Sequence, residues 1–214
     1  MHRTRIKICG LTRPEDAAAA VSSGADALGV VLAPSRRRVT LDEAERVLAA
    51  TPPFVGRVGV FVDASTDEIR EAAERLSLSA VQLHGSETPE QCAEIGMPVV
   101  KAFRVGPDFD PAVTDAYRGV ISIALLDTFV PGEQGGTGLV FDWYAIAERL
   151  PDLAPVVLAG GLRPDNVVEA IRVLRPFGVD VSSGVETAPG VKDPALIARF
   201  CSAVRFADGE ATLR

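Results

Sequence analysis

Short apolar runs recur along the chain, each followed by a helix-start signal and then by apolar residues at helical spacing. The runs are Arg5–Cys9, Ala27–Leu32, Arg57–Val62, Ala80–His84, Val99–Arg104, Ile121–Asp127, Pro155–Ala159 and Gly178–Ser182. They are rich in Val, Ile and Leu on both faces, a pattern that predicts parallel strands covered on both sides. Thr12-x-x-Glu15, Thr40-x-x-Glu43, Ser65-x-x-Glu68 and Thr88-x-x-Gln91 fit the capping box, in which side chains satisfy free backbone N–H groups. Asp110-Pro111 and Asp193-Pro194 place a capping carboxylate before a proline at the first helical position. Helical spacing follows in Ile69, Ala72, Ala73, Leu76 and again in Val167, Val168, Ile171, Leu174.

Strands that alternate with helices make parallel βα units, and this many of them close into a single-domain (βα)8, or TIM-type, barrel over residues 1–214. A doubly wound open sheet is the rival. It usually carries a nucleotide loop after the first strand, whereas this chain has Gly10-Leu11-Thr12, with neither G-x-G-x-x-G nor a Walker pattern. The fifth helix, around Pro111–Tyr117, reads as short, a short helix is expected to begin near Val185, and Asp208–Arg214 reads as a frayed tail.

Composition narrows the function classes. The chain has 214 residues and a net charge of -7, which argues against a general nucleic-acid surface. No apolar run has membrane-spanning length. Three widely spaced cysteines suggest neither a disulfide framework nor a zinc site, and fit a reducing cytoplasm. Cys92 and Cys201, inside helical patterns, read as core.

In such a barrel the chemistry sits where strands end and loops begin. Those positions carry Cys9, Arg36-Arg37-Arg38, Asp63, His84, Arg104, Asp127, Gly160-Gly161 and Ser182-Ser183-Gly184. Cys9 ends the first strand, and alternation puts Lys7 on its face, where a cation favours thiolate. Asp127 emerges from an apolar strand. A thiol and a carboxyl across a cavity can move protons on a small molecule; inert core for one and turn formation for the other are the bland readings. Gly160, Gly161, Ser182, Ser183 and Gly184 fall after the last two strands, where backbone N–H groups can hold phosphate, tight turns being the alternative. The arginine run could clamp a carboxylate with a planar fork or be a solvated basic face. Gln82 and His84 share a strand face and read as pocket-lining, as does Arg104. A lone histidine does not hold a catalytic metal, so no metal is expected. The glycine-rich segment Val130–Gly138 suits a loop closing over a ligand.

Lys7-Ile8-Cys9-Gly10-Leu11-Thr12, Val81-Gln82-Leu83-His84-Gly85, Leu125-Leu126-Asp127, Gly135-Gly136-Thr137-Gly138-x-x-Phe141-Asp142-Trp143, Ala159-Gly160-Gly161-Leu162 and Asp180-Val181-Ser182-Ser183-Gly184-Val185-Glu186 occur in this order along the chain. Together they resemble the phosphoribosylanthranilate isomerase family of tryptophan biosynthesis. The resemblance implies an Amadori rearrangement of a phosphosugar-anthranilate substrate without a cofactor, with Cys9 as general base and Asp127 as general acid. It also implies Arg37 as the ligand of the anthranilate carboxylate. Here the chain departs from the family's common P-K-S-x-R, being one residue shorter at Pro34-Ser35-Arg36-Arg37. The S-x-R register selects Arg37, with Arg36 and Arg38 as alternatives. Oligomeric state is not legible. A histidine-pathway aminoaldose isomerase is expected to carry Asp in place of Cys9, ribulose-phosphate epimerase needs metal ligands, and a non-catalytic phospholigand barrel would lack Cys9 or Asp127.

Overall fold

The computed structural model describes residues 3–106, 109–127, 147 and 154–212. Eight strands pair in chain order: β1 Arg5–Ile8, β2 Ala27–Val31, β3 Gly56–Phe61, β4 Ala80–Leu83, β5 Val99–Arg104, β6 Ile123–Asp127, β7 Val156–Ala159 and β8 Gly178–Val181. All neighbours are parallel, and β8 returns to β1 with Lys7 opposite Asp180, which closes the barrel. The expected (βα)8 architecture is what forms, with strand ends within two residues of the apolar runs.

Between the strands run α1 Pro14–Ser22, α2 Leu41–Leu48, α3 Thr66–Leu76, α4 Pro89–Glu94, a 3-10 helix at Pro111–Tyr117, α5 Val167–Leu174 and α6 Pro194–Thr212. The capping boxes at Thr40, Ser65 and Thr88 form reciprocally with Glu43, Glu68 and Gln91. Asp193 Oδ1 accepts from Ala195 N at 2.8 Å and starts α6. The box expected at Thr12 does not form. Arg13 is the cap residue of α1, and the Thr12 hydroxyl donates to Gly190 O at 2.6 Å.

Two further expectations are corrected. Asp208 lies inside α6 rather than in a frayed tail, and the helix continues to Thr212. The Asp208 carboxylate accepts from Thr4 N at 3.0 Å and from the Thr4 hydroxyl at 2.6 Å, so the last helix is tied to the lead into β1. Near Val185 there is no new helix, only one 3-10 turn, Ser183–Val185. An antiparallel hairpin follows, β9 Glu186–Ala188 and β10 Val191–Lys192. Arg13 and Asp16 of α1 hold this hairpin through Lys192 O and Lys192 N.

Strand alternation sorts the apolar residues into two sets. The larger, including Ile6, Ile8, Leu28, Val81, Leu126, Leu158, Ile171 and Phe200, fills the layer between strands and helices. The smaller, Val100, Ala102, Leu125, Val157 and Ala159, lies inside the barrel. Burying each large side chain contributes about 1.5–3 kcal/mol, so the outer layer dominates stability. The inner set leaves the upper barrel to polar groups.

Candidate active site

Lys7 lies on the same inward face of β1 as Cys9, and both are buried. Its ammonium donates to Gln82 Oε1 at 2.9 Å and to Asp180 Oδ2 at 2.9 Å, and its positive charge acts on the neighbouring Cys9. The facing position on β2 is Gly29, where a Cβ would fall 2.9 Å from Cys9 Sγ and 3.1 Å from Lys7 Cε. Only a residue without a side chain leaves room for both.

Burial is the largest influence on Cys9 and pushes its thiol above the ordinary value, although Lys7 pulls the other way. The sequence reading expected Lys7 to favour thiolate. Lys7 does act in that direction, but burial outweighs it, helped by Asp180, which shares the Lys7 charge and adds its own negative field. Burial also works against the Lys7 ammonium, and Asp180 with Cys9 more than reverses this, leaving Lys7 above its usual value. Asp180 Oδ1 is buried and has no hydrogen-bond partner among the described residues.

From Lys7 a line of hydrogen bonds crosses the barrel. The buried Gln82 amide meets His84 Nδ1 at 3.0 Å, and His84 Nε2 meets Asp127 Oδ2 at 3.0 Å. His84 is the first residue beyond β4, in a turn that the buried Glu87–Lys101 pair fixes. Glu87 accepts from Gly85 N at 3.0 Å and Asp63 N at 2.9 Å, while Lys101 donates to Gly85 O at 2.9 Å. Arg104 is exposed and, with His84, Phe103, Phe109 and Tyr117, lines a cavity of about 350 Å³ at the barrel mouth.

Within the arginine run the three side chains part company. Arg36 and Arg38 are exposed, whereas Arg37 turns inward and forks Glu186 through Nε at 2.8 Å and Nη2 at 2.7 Å. Glu186 also accepts from the buried Lys192 Nζ at 2.7 Å. Burial opposes the Glu186 charge, but Arg37 and Lys192 more than reverse this and hold the carboxyl below its usual range. Lys192 goes the other way, lowered by burial despite Glu186.

The two glycine loops meet at the mouth. Gly160 and Gly161 have φ of 83° and 62°, the left-handed region that favours glycine. A Cβ on Gly161 would meet nothing within 4 Å, so its backbone borders open space. A Cβ on Gly184 would fall 1.8 Å from Leu162 O, which shows how closely the loop after β8 packs on the loop after β7. Ser182 Oγ lies 3.3 Å from Lys192 Nζ.

Lys7, Gln82, His84 and Asp127 are thus joined in one network that ends beside Cys9, with Arg37 and the glycine loops around the same mouth. Sequence reasoning missed the parts played by Asp180, Glu186 and Lys192. Asp180 left one signal: a lysine on an otherwise apolar inward strand face requires a buried counter-charge nearby. The closing segment at Val130–Gly138 and the Phe141-Asp142-Trp143 motif lie outside the described residues.

A closed parallel barrel with a thiol, a carboxyl, a histidine and a cationic fork at the carboxyl ends of its strands is an enzyme of the (βα)8 class. A sequence model of the family described as N-(5'phosphoribosyl)anthranilate (PRA) isomerase matches residues 6–203. The N-(5'-phosphoribosyl)anthranilate isomerase of Chromohalobacter salexigens is 53% identical over 210 residues, covering 95% of each chain. The crystal structure of phosphoribosyl anthranilate isomerase from Thermotoga maritima superposes with a TM-score of 0.86 at 44% identity, over 95% of this chain and 99% of that one. A solved phosphoribosyl anthranilate isomerase in complex with reduced 1-(o-carboxyphenylamino)-1-deoxyribulose 5-phosphate gives 0.83 at 42% identity, over 95% and 99%. The chain belongs to the phosphoribosylanthranilate isomerase family and is an isomerase of tryptophan biosynthesis.

Proposed function

We propose that Cys9 and Asp127 are the base and acid of an Amadori rearrangement that turns N-(5-phosphoribosyl)anthranilate into 1-(2-carboxyphenylamino)-1-deoxyribulose 5-phosphate. The observation that carries this reading is the hydrogen-bonded line from Lys7 through Gln82 and His84 to Asp127, whose Lys7 end lies beside Cys9 on the same strand face. A thiol thus stands at one end of the line and a carboxyl at the other, over an otherwise apolar floor.

Asp127 gives its proton to the furanose ring oxygen. The C1–O bond breaks, and the nitrogen lone pair forms the iminium double bond. Cys9 thiolate then takes the C2 proton, the C–H electron pair forms the C1–C2 double bond, and the iminium pair returns to nitrogen. The resulting enolamine tautomerises to the ketone. Burial favours the thiol, whereas Lys7 and the iminium charge beside C2 favour the thiolate that takes the proton.

Arg37 holds the anthranilate carboxylate. Glu186 takes its Nε and Nη2 protons on one edge and leaves the outer edge of the guanidinium for a second carboxylate. The phosphate sits between Gly160-Gly161 and Ser182-Ser183-Gly184, on backbone donors beside the open space at Gly161. Freshly prepared phosphoribosylanthranilate should lose its anthranilate-type fluorescence when the purified protein is added. Unchanged fluorescence with fully folded protein would overturn the reading.

A further inference from the structure

The polar line across the barrel also fixes the protonation of its own members. Lysine carries donors only, so the Gln82 atom facing Lys7 Nζ at 2.9 Å is the carbonyl oxygen, an orientation that Asp180 secures by anchoring the same ammonium. The other end of the amide is then NH2, which only donates, and it faces His84 Nδ1 at 3.0 Å. Nδ1 must accept, so it bears no proton. A neutral imidazole with a bare Nδ1 carries its proton on Nε2, the nitrogen 3.0 Å from Asp127 Oδ2. Each assignment forces the next.

We infer that Gln82 is a positioning residue: it locks His84 as the Nε2–H tautomer, and His84 in turn holds Asp127 by Oδ2. With Oδ2 accepting from His84 Nε2–H, the carboxyl is oriented for delivery of the acid's proton. Without the amide, His84 is free to adopt the Nδ1–H tautomer, which sets a lone pair against the carboxylate and lets Asp127 turn away from the ring oxygen. The inference rests on the proposed role of Asp127. Gln82 lies in the barrel interior, only 2% exposed, and acts through two intermediaries. A purely structural glutamine there would need no defined amide orientation.

The chain has two histidines, so nitrogen-15 spectra of its imidazoles are simple to assign. In the uniformly labelled wild-type protein His84 should show a bare Nδ1 and a protonated Nε2. A protonated Nδ1 would overturn the inference. Gln82→Glu puts an acceptor against Nδ1 and should move a proton onto it. The same variant should lower kcat at least about tenfold with KM little changed, short of the ~10²–10⁴-fold that loss of a positioned acid costs. Gln82→Met is the companion variant, near in size and without hydrogen bonds; it should mix the tautomers and lose kcat similarly. His84→Gln, which keeps an N–H donor, should retain more kcat than His84→Ala. Wild-type kcat in Gln82→Glu together with a protonated Nδ1 would also overturn it. The spectra are read without turnover, so the tautomer assignment fails or holds independently of the Asp127 reading.

Discussion

Arg37 and Glu186 face each other as a two-bond fork, 2.8 and 2.7 Å, across the gap between the loop after β2 and the hairpin that follows β8. The relationship resolves which arginine of the run turns inward, since Arg36 and Arg38 are exposed. It also makes the guanidinium a pre-aimed group rather than a mobile one.

Arg37→Ala should therefore cost a charge-assisted contact worth on the order of 1.5–3 kcal/mol. That is roughly 10–150-fold in kcat/KM, felt mainly in KM. Lysine should recover only part, because a point charge does not reproduce the fork. Glu186→Gln should weaken substrate binding in the same direction by loosening Arg37, while Arg36→Ala and Arg38→Ala should do little. Steady-state kinetics on the five variants checks the ranking; a silent Arg37→Ala would remove it from substrate binding.

The anion site should depend on backbone more than on hydroxyls. Ser183→Ala should be mild. Gly161→Val should raise KM, because φ of 62° strains a branched residue and its side chain would occupy the open space beside the loop. A phosphate-soaked crystal should place the anion between the two loops; density only at Arg36–Arg38 would contradict this.

The acidity of Cys9 should respond to its two charged neighbours in opposite senses. Asp180 raises the thiol and Lys7 lowers it. Asp180→Asn should therefore speed alkylation of Cys9 by iodoacetamide at neutral pH, and Lys7→Met should slow it. In the wild-type protein the alkylation rate should climb with pH on the alkaline side, as expected of a raised thiol. Equal rates in all three proteins would show that Lys7 and Asp180 do not set the ionisation.

Stability should fall in alkali through a different cysteine. Burial pushes Cys201 up from its ordinary 9.0 to about 11. The folded state thus resists ionisation that the unfolded chain accepts. The contribution is whole below about pH 9 and is lost as pH rises towards 11, by roughly 2–3 kcal/mol at most. Urea midpoints between these limits should decline less steeply in Cys201→Ala than in wild type, whatever the offset at neutral pH.

The barrel was legible because its signals are local. Ile69, Ala72 and Leu76 are buried as their spacing required, and Thr40, Ser65 and Thr88 cap as written. Local reading failed where distant residues compete for the same group. Thr12 gives its hydroxyl to Gly190 instead of capping α1, and Glu186 turns the chain after Val185 into a hairpin by reaching Arg37 and Lys192. The site behaved likewise. Cys9, Gln82, His84 and Asp127 stand out because each is reactive or polar at the inward end of an apolar strand. Lys7 favours the thiolate as its place on the strand face implies, but nothing adjacent in sequence shows how deeply Cys9 is buried or that Asp180 shares the Lys7 charge, and burial decides the net direction.

The central claim is that one proton arrives from Asp127 and another leaves to Cys9. Turnover of phosphoribosylanthranilate by Cys9→Ala and Asp127→Asn, followed by fluorescence beside calorimetric binding of a reduced product analogue, tests it most directly. Each variant should bind the analogue nearly as wild type does and lose about 10²–10⁴-fold in kcat. A kcat near wild type in either variant, with binding intact, would contradict the role assigned to that residue.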